Sequence, residues 1–285
     1  MQLGRLSDKN LARTAAFGGG EWMLPLANLV KEERYIGAPA RCDATAPAKS
    51  QFTVTLSAPR MLNLIALLFH TLSAAAQFRM TFAGPDLDFE APVFTTDWRR
   101  VYQRMFPSSF LPWETNNWWL GTIDEEEIDL FRRHLWIAPP PVIVGAIRFE
   151  FDDQQNPDEV IDIGGLWLAQ TFSPELNFDR GRELSILPRD LQDEAPSGRI
   201  FIERRTPRRQ LSVPWSNLSD EEAYRFFDLG MRVTTARPVI FVPNLDDPVS
   251  VVREAFPALM HLPPGPRFVR DRMNTVAATF KEILA

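Results

Sequence analysis

Cysteine is almost missing from this chain. Cys42 is the only one in 285 residues, which excludes an internal disulfide and fits folding in a reducing compartment. Histidine is scarce as well. His70, His134 and His261 are the full set, and with one cysteine they do not supply a structural zinc site of the usual kinds. No metal and no cofactor is expected. Glycine is outnumbered by proline, 14 to 24, which favours ordered connections and edge strands over a helical bundle. Long apolar runs are lacking. The strongest, Met61 to Phe69, is broken by Asn63 and is far too short to cross a bilayer. The amino terminus has no charged start followed by an apolar core, so neither a membrane nor a secretory route is expected. Positive charge is also in deficit: the net charge is −6 and the pI about 5.3. Free nucleic acid is therefore not the expected partner.

Catalytic patterns are missing too. No Gly-x-Ser-x-Gly elbow occurs, and the three histidines are too scattered along the chain to suggest a triad. Gly18-Gly19-Gly20 follows no strand and precedes no Lys-Ser/Thr, so it cannot be a phosphate cradle. Two acidic clusters, Asp124-Glu125-Glu126-Glu127 and Asp152-Asp153, are the only candidates for paired catalytic carboxylates. The first reads better as the charged start of a helix. The second reads as a polar turn, with a loop calcium site as the lesser alternative. The chain is expected not to be an enzyme.

What is present is strand patterning. Hydrophobic residues make up 45% and charged residues 24%, enough apolar material for one large domain or two ordinary ones. Gln51 to Ser57 alternates, with Phe52, Val54 and Leu56 on one face. Met61 to Phe69 has the length of a buried strand. Gln77 to Ala83 alternates again, and strands resume at Val142 to Phe151 and Glu159 to Ala169 around Gly164-Gly165. Between them, residues 84–141 form an excursion that holds five of the eight tryptophans and an expected short helix, Asp124 to His134. The pattern restarts at Phe172, which puts a domain boundary near Gln170. Beyond it come an arginine-rich extended stretch, Gly198 to Pro214, and a helix from Ser219 to Gly230. The strand Pro238 to Asn244 and an extended tail, Arg267 to Leu284, complete the chain. Ser219 and Glu222 have the spacing of a capping box, and Ala223, Phe226 and Phe227 are expected to share the buried face.

These pieces resemble two known families. Ser57-Ala58-Pro59-Arg60 with Leu64 to Ser73 and Ala74 to Arg79 resembles an early strand pair of discoidin-like, galactose-binding-like jelly rolls in phage tail proteins. Ala146 to Asp153 and Val160 to Leu168 resemble its late and closing strands. The helix followed by Thr235-Ala236-Arg237-Pro238-Val239-Ile240-Phe241-Val242-Pro243 resembles the ring-forming domain of siphophage distal tail proteins. The resemblance implies a mainly β protein. Residues 1–170 would form a jelly-roll sandwich, with the excursion at 84–141, and residues 171–285 a tail-tube-like small β-barrel with one helix. It implies a structural virion protein of a non-contractile tail tip, assembled in the host cytoplasm. Such a protein forms a ring, hexameric in that family, and links the tail tube to hub or fibre proteins. The alternative is a carbohydrate-binding module for host-surface glycans.

Two sets of side chains follow from these readings. Trp113, Trp118 and Trp119, beside Asn116 and Asn117, are the candidates for stacking on a glycan; packing in a core or interface is the competing role. Arg199, Arg204, Arg205, Arg208 and Arg209 form the basic cluster. With Asp246 and Asp247 they are the candidates for a subunit interface, against the alternative of solvated charges that blunt a strand edge.

Overall fold

The alternating run after Gln51 is a strand from Phe52 to Met61, with Phe52, Val54 and Leu56 buried. This computed structural model describes residues 3–32, 35, 37–105, 121, 131–261, 263–269 and 273–284. The early strands are β1 (Arg5–Ser7), β2 (Ala16–Gly18), β3 (Trp22–Leu24), β4 (Ala40–Cys42), β5 (Phe52–Met61), β6 (Leu64–His70) and β7 (Gln77–Ala83). They continue with β8 (Phe94–Thr95), β9 (Arg99–Arg100), β10 (His134–Ile137), β11 (Ile143–Asp152) and β12 (Ile161–Ala169). Then follow β13 (Glu183–Leu187), β14 (Leu191–Glu194), β15 (Ile200–Glu203), β16 (Arg208–Leu218), β17 (Val239–Val242), β18 (Phe256–Met260) and β19 (Asn274–Glu282). The α-helices among the described residues are α1 (Asp220–Val233) and α2 (Pro248–Glu254). The protein is mainly β, and every strand pairing is antiparallel.

The chain divides into two units, and the division is not a single cut. Lys9–Thr171 and Leu245–Arg253 form one; Met1–Asp8, Phe172–Asn244 and Glu254–Leu284 form the other. The change of unit at Thr171 lies beside the boundary expected near Gln170. The first strand departs from that division: Arg5, Leu6 and Ser7 pair with Val242, Phe241 and Ile240. Three short residues of strand give little pattern, and their partner lies more than two hundred residues away.

The unit beginning at Lys9 is a two-sheet sandwich. One sheet runs β10-β6-β12-β4-β3, the other β2-β5-β11-β7-β8 with β9 also on β7. Phe52, Val54, Phe78, Met80, Phe82, Phe149 and Phe151 from one sheet share a core with Ile65, Leu67, Ile161, Ile163, Leu166 and Leu168 from the other. Strand β6 is buried at all seven positions, which is why it reads as a continuous apolar run. Its second face lies beneath an aromatic layer in which Tyr35 meets Phe69, Phe69 meets His134, and His134 meets Trp136. Gly164 permits this close packing, since a Cβ there would sit 2.7 Å from the Tyr35 carbonyl oxygen.

The other unit is a six-stranded sheet in the order β1-β17-β18-β19-β16-β13, plus the separate hairpin β14-β15. The strand order is linear: among the described residues β1 and β13 are its two edges, where a closed barrel would join them. Helix α1 covers a core of Trp215, Phe226, Leu229, Val233, Phe241 and Phe280. The expected capping box is formed. Ser219 Oγ accepts from the Glu222 N–H at 3.2 Å, and Glu222 Oε2 accepts from the Ser219 N–H at 2.9 Å. Burial raises the Glu222 pKa, but backbone donors at Glu175 and Ser219 outweigh it and leave the carboxyl lowered.

Two sequence expectations need correction. Phe227 is 47% exposed, whereas Phe226 is fully buried. The buried face runs through Ala223, Phe226, Leu229, Gly230 and Val233, and Phe227 lies a full 100° further round the helix than Phe226. Helix α2 was not anticipated. As for the short helix expected at Asp124 to His134, residues 124–130 lie outside the described residues, and His134 opens strand β10.

These placements give a graded series. Ser219→Ala should cost about 1 kcal/mol and Phe226→Ala about 3–5 kcal/mol. Phe227→Ala should stay within about 0.5 kcal/mol. Urea midpoints read the series, and a Phe227 variant as damaging as the Phe226 variant would contradict it.

Candidate functional site

Three loops meet at one end of the sandwich, because β4, β6 and β11 end there while β5, β7 and β12 begin there. They span residues 43–51, 71–76 and 153–160. Asp153 joins them. Its carboxylate accepts from the Ser73 N–H at 3.0 Å, from the Ser73 hydroxyl, and from Asn156 Nδ2 at 2.8 Å. Its own N–H donates to the Thr45 carbonyl at 3.1 Å. Asn156 Nδ2 also lies 3.2 Å from the Thr71 carbonyl, and the Ser50 hydroxyl donates to the Phe151 carbonyl at 2.7 Å. A buried carboxylate is tolerated when its lone pairs are filled in this way.

Beside this network lies a solvent-open cleft of about 410 Å³, lined by Ala75, Gln77, Arg100, Asp152, Asp153, Gln154 and Gln155. Arg100 is brought in by β9, which sets it opposite Gln77. Gln154 Nε2 donates to Asp152 Oδ1 at 3.0 Å. Trp98, on the same surface, is 36% exposed and carries the Arg79 guanidinium 4.9 Å from its ring centroid. The cleft thus offers guanidinium and amide donors, carboxylate and amide acceptors, and an aromatic face nearby.

The site and the sequence candidates overlap only in part. Trp113, Asn116, Asn117, Trp118 and Trp119 lie outside the described residues. The flanking chain, however, is anchored at the loop end: the Val101 N–H donates to the Ala76 carbonyl, and the Arg133 carbonyl accepts from the His70 N–H. Asp152 and Asp153 are at the site. Asp153 is structural, and its filled oxygens do not suit the calcium alternative; no group of three or more His, Cys, Asp or Glu placed to hold a metal occurs among the described residues. Gln77, Arg100, Gln154, Gln155 and Trp98 were missed, because nothing in their spacing marks them. Only the β9 pairing brings Arg100 to Gln77.

In the second unit the arginines separate. Arg209 is internal: its guanidinium donates to Glu282 Oε1 at 2.6 Å and lies over Phe256. Arg208 Nε is buried without a hydrogen-bond partner. Arg205 pairs with Glu203 at 2.8 Å, and Arg199 lies over Phe201. Arg204 is exposed. Asp246 and Asp247 belong to the sandwich unit, where Asp247 Oδ1 accepts from the Val249 N–H at 3.1 Å and caps α2.

No family model matches the chain, and no curated protein matches it. Solved structures do align with it. The lectin domain of lectinolysin complexed with Lewis B antigen aligns over 57% of this chain and 98% of its own, at 10% identity and TM-score 0.36. CBM32-1 from a family 31 glycoside hydrolase of Clostridium perfringens aligns over 57% and 99%, at 10% identity and TM-score 0.34. The sandwich description rests on this chain's own sheet order, not on those alignments.

His70 ends β6 at the loop end, fully buried, with neither ring nitrogen hydrogen-bonded. Burial, with Arg133 adding repulsion, pushes its pKa down to about 3. Its ordinary value in the unfolded chain is about 6.5. Between these values the unfolded state binds the extra proton, so stability present above the unfolded pKa is lost as pH falls. From pH 6.5 to 5 the protein should lose about 1.5 kcal/mol through this group, and His70→Phe should flatten that part of the profile. Equal slopes in denaturant titrations of both proteins would contradict the assignment.

Proposed function

We propose that the sandwich is a glycan-binding module whose site is the cleft at its loop end. The observation that carries this reading is the cleft's composition. One cationic side chain, Arg100, and the acids Asp152 and Asp153 stand among the amides of Gln77, Gln154 and Gln155, and the Asp153 carboxylate is already taken up by internal hydrogen bonds. Such an array suits hydroxyl groups, which donate and accept together. It holds no strong anion or cation trap. Trp98, exposed and carrying the Arg79 guanidinium on its ring, offers an aromatic face for stacking on a sugar. The solved lectin and carbohydrate-binding-module structures are similar in fold only and add no argument on ligand.

The reading is non-catalytic. A glycosidase needs two free carboxyl groups across the scissile bond, and both Asp153 oxygens accept internal hydrogen bonds. Among the described histidines, His70 is sealed from solvent.

A second reading gives the other unit an assembly role, as in the tail-tip rings it resembles. There it would stand in a ring, hexameric in that family, between tail tube and hub or fibre proteins in the virion. The observation that favours it is the hairpin β14-β15, exposed at all eight positions, with Leu191, Ile200, Phe201 and Ile202 among them.

The purified protein applied to a glycan array, followed by calorimetry on the best ligand, tests the first reading. Arg100→Ala with Gln77→Ala should lower affinity about tenfold or more, the loss of one to two net hydrogen bonds to a charged or polar partner, with an unchanged circular dichroism spectrum. An array without any bound glycan, or full affinity in the double variant, would overturn it.

A further inference from the structure

The outer face of the sheet that carries the cleft is built in rows. In β7 and β11 the side chains of Phe78, Met80, Phe149 and Phe151 enter the core, so their neighbours lie on the opposite face. The register sets those neighbours in rows about 7 Å apart. The first row, Arg100, Gln77 and Asp152, lines the cleft. The second is Arg79 with Glu150, and the third Thr81 with Arg148.

A β-bulge brings Trp98 to the second row. Phe94 and Thr95 pair with Phe82 and Thr81, and the Thr96 N–H donates to the Met80 carbonyl at 2.9 Å. Arg99 and Arg100 pair with Phe78 and Gln77. Asp97 and Trp98 together therefore stand opposite one residue, Arg79. The Thr96 hydroxyl accepts from the Met80 N–H at 2.9 Å, which fills the gap in the ladder. A bulge of this kind re-aims a side chain, and here it sets the Trp98 ring against the Arg79 guanidinium, 4.9 Å from the ring centroid. Both oxygens of Glu150 hold that guanidinium, at 2.8 and 2.7 Å. The ring is thus supported on one side, over a charge that is already neutralised.

Beyond Trp98 the face closes. Along β7, Gln77 is exposed, Arg79 half-buried and Thr81 buried. Phe89, from the loop after β7, lies 4.4 Å from the Arg148 guanidinium and occupies the third row. A ligand that leaves the cleft along this face meets one exposed ring and then the protein's own loop.

We propose that the site takes a neutral disaccharide unit, with one sugar in the cleft among Arg100, Gln77 and Asp152 and the next stacked on Trp98. The row spacing is of the order of one sugar ring with its linkage. The Trp98 subsite favours the apolar C–H face of an uncharged ring, since Arg79 is already paired and offers an acidic sugar nothing. A ring fixed before binding loses little freedom when the ligand arrives. This assignment rests on the glycan reading and adds the length and charge of the ligand.

Calorimetry on the full chain tests it. The probes are the methyl glycosides of glucose, galactose, mannose and N-acetylglucosamine, with the neutral disaccharides and trisaccharides that extend them. For the sugar that binds, the disaccharide should bind about five- to tenfold tighter than the methyl glycoside. The trisaccharide should stay within about twofold of the disaccharide. Trp98→Ala should remove the disaccharide gain, and Trp98→Phe should keep most of it. Arg100→Ala with Gln77→Ala should instead weaken both ligands by the same factor. A methyl glycoside bound as tightly as the disaccharide, or a Trp98→Ala protein with the gain intact, overturns the second subsite while the cleft reading stands. A trisaccharide gain as large as the first overturns the two-residue limit. Failure of every sugar to bind, in this panel and on the array, overturns both readings.

Discussion

Burial of β6 on both faces is the constraint on which the sandwich depends. One face supplies Ile65 and Leu67 to the core between the sheets. The other is closed by the aromatic layer from Tyr35 to Trp136. On a central strand of this kind an unpaired polar group is costly. His70, at its end, accordingly sits as a neutral ring in an apolar site, and the Tyr35 hydroxyl, also buried without a partner, has its pKa raised by the same desolvation. Both are costs of covering the strand completely.

At the end of that strand the physics changes from apolar packing to hydrogen-bond closure. Strand ends leave backbone groups that need partners. Here Asp153, Asn156 and Ser50 provide them across three loops. A rigid frame results, and the exposed Gln77, Arg100, Gln154 and Gln155 stand on it. Binding side chains held on a fixed scaffold lose less freedom when they meet a ligand. The structural acid and the acid that lines the cleft are neighbours in sequence, Asp153 and Asp152, yet alternate side-chain direction sends one inward and leaves the other half-exposed.

The second unit is governed by the helix that covers its sheet. The capping box sets where α1 begins, and the rotation per residue then decides which side chains meet Trp215 and Phe241. Phe226 stacks into that core and Phe227 does not. The residues left outside, Tyr224, Phe227 and Met231, are exposed apolar side chains on its outer surface.

Local chemistry in the sequence was sufficient for several elements. The alternation at Phe52 to Leu56, the unbroken apolar run of β6 and the Ser219–Glu222 box all depend on neighbours a few residues apart, so they are legible in one dimension. What depends on distant pairing was not. The docking of β1 on β17, the delivery of Arg100 to Gln77 by β9, and the ion pair that removes Arg209 from the surface each join residues that no local period connects. Between Phe226 and Phe227 the sequence contains two identical rings, and only the helix phase against the sheet separates a core residue from an exposed one. The candidate site itself belongs to this second class, because a cleft made by loop ends exists only after the strands that end there have been brought together.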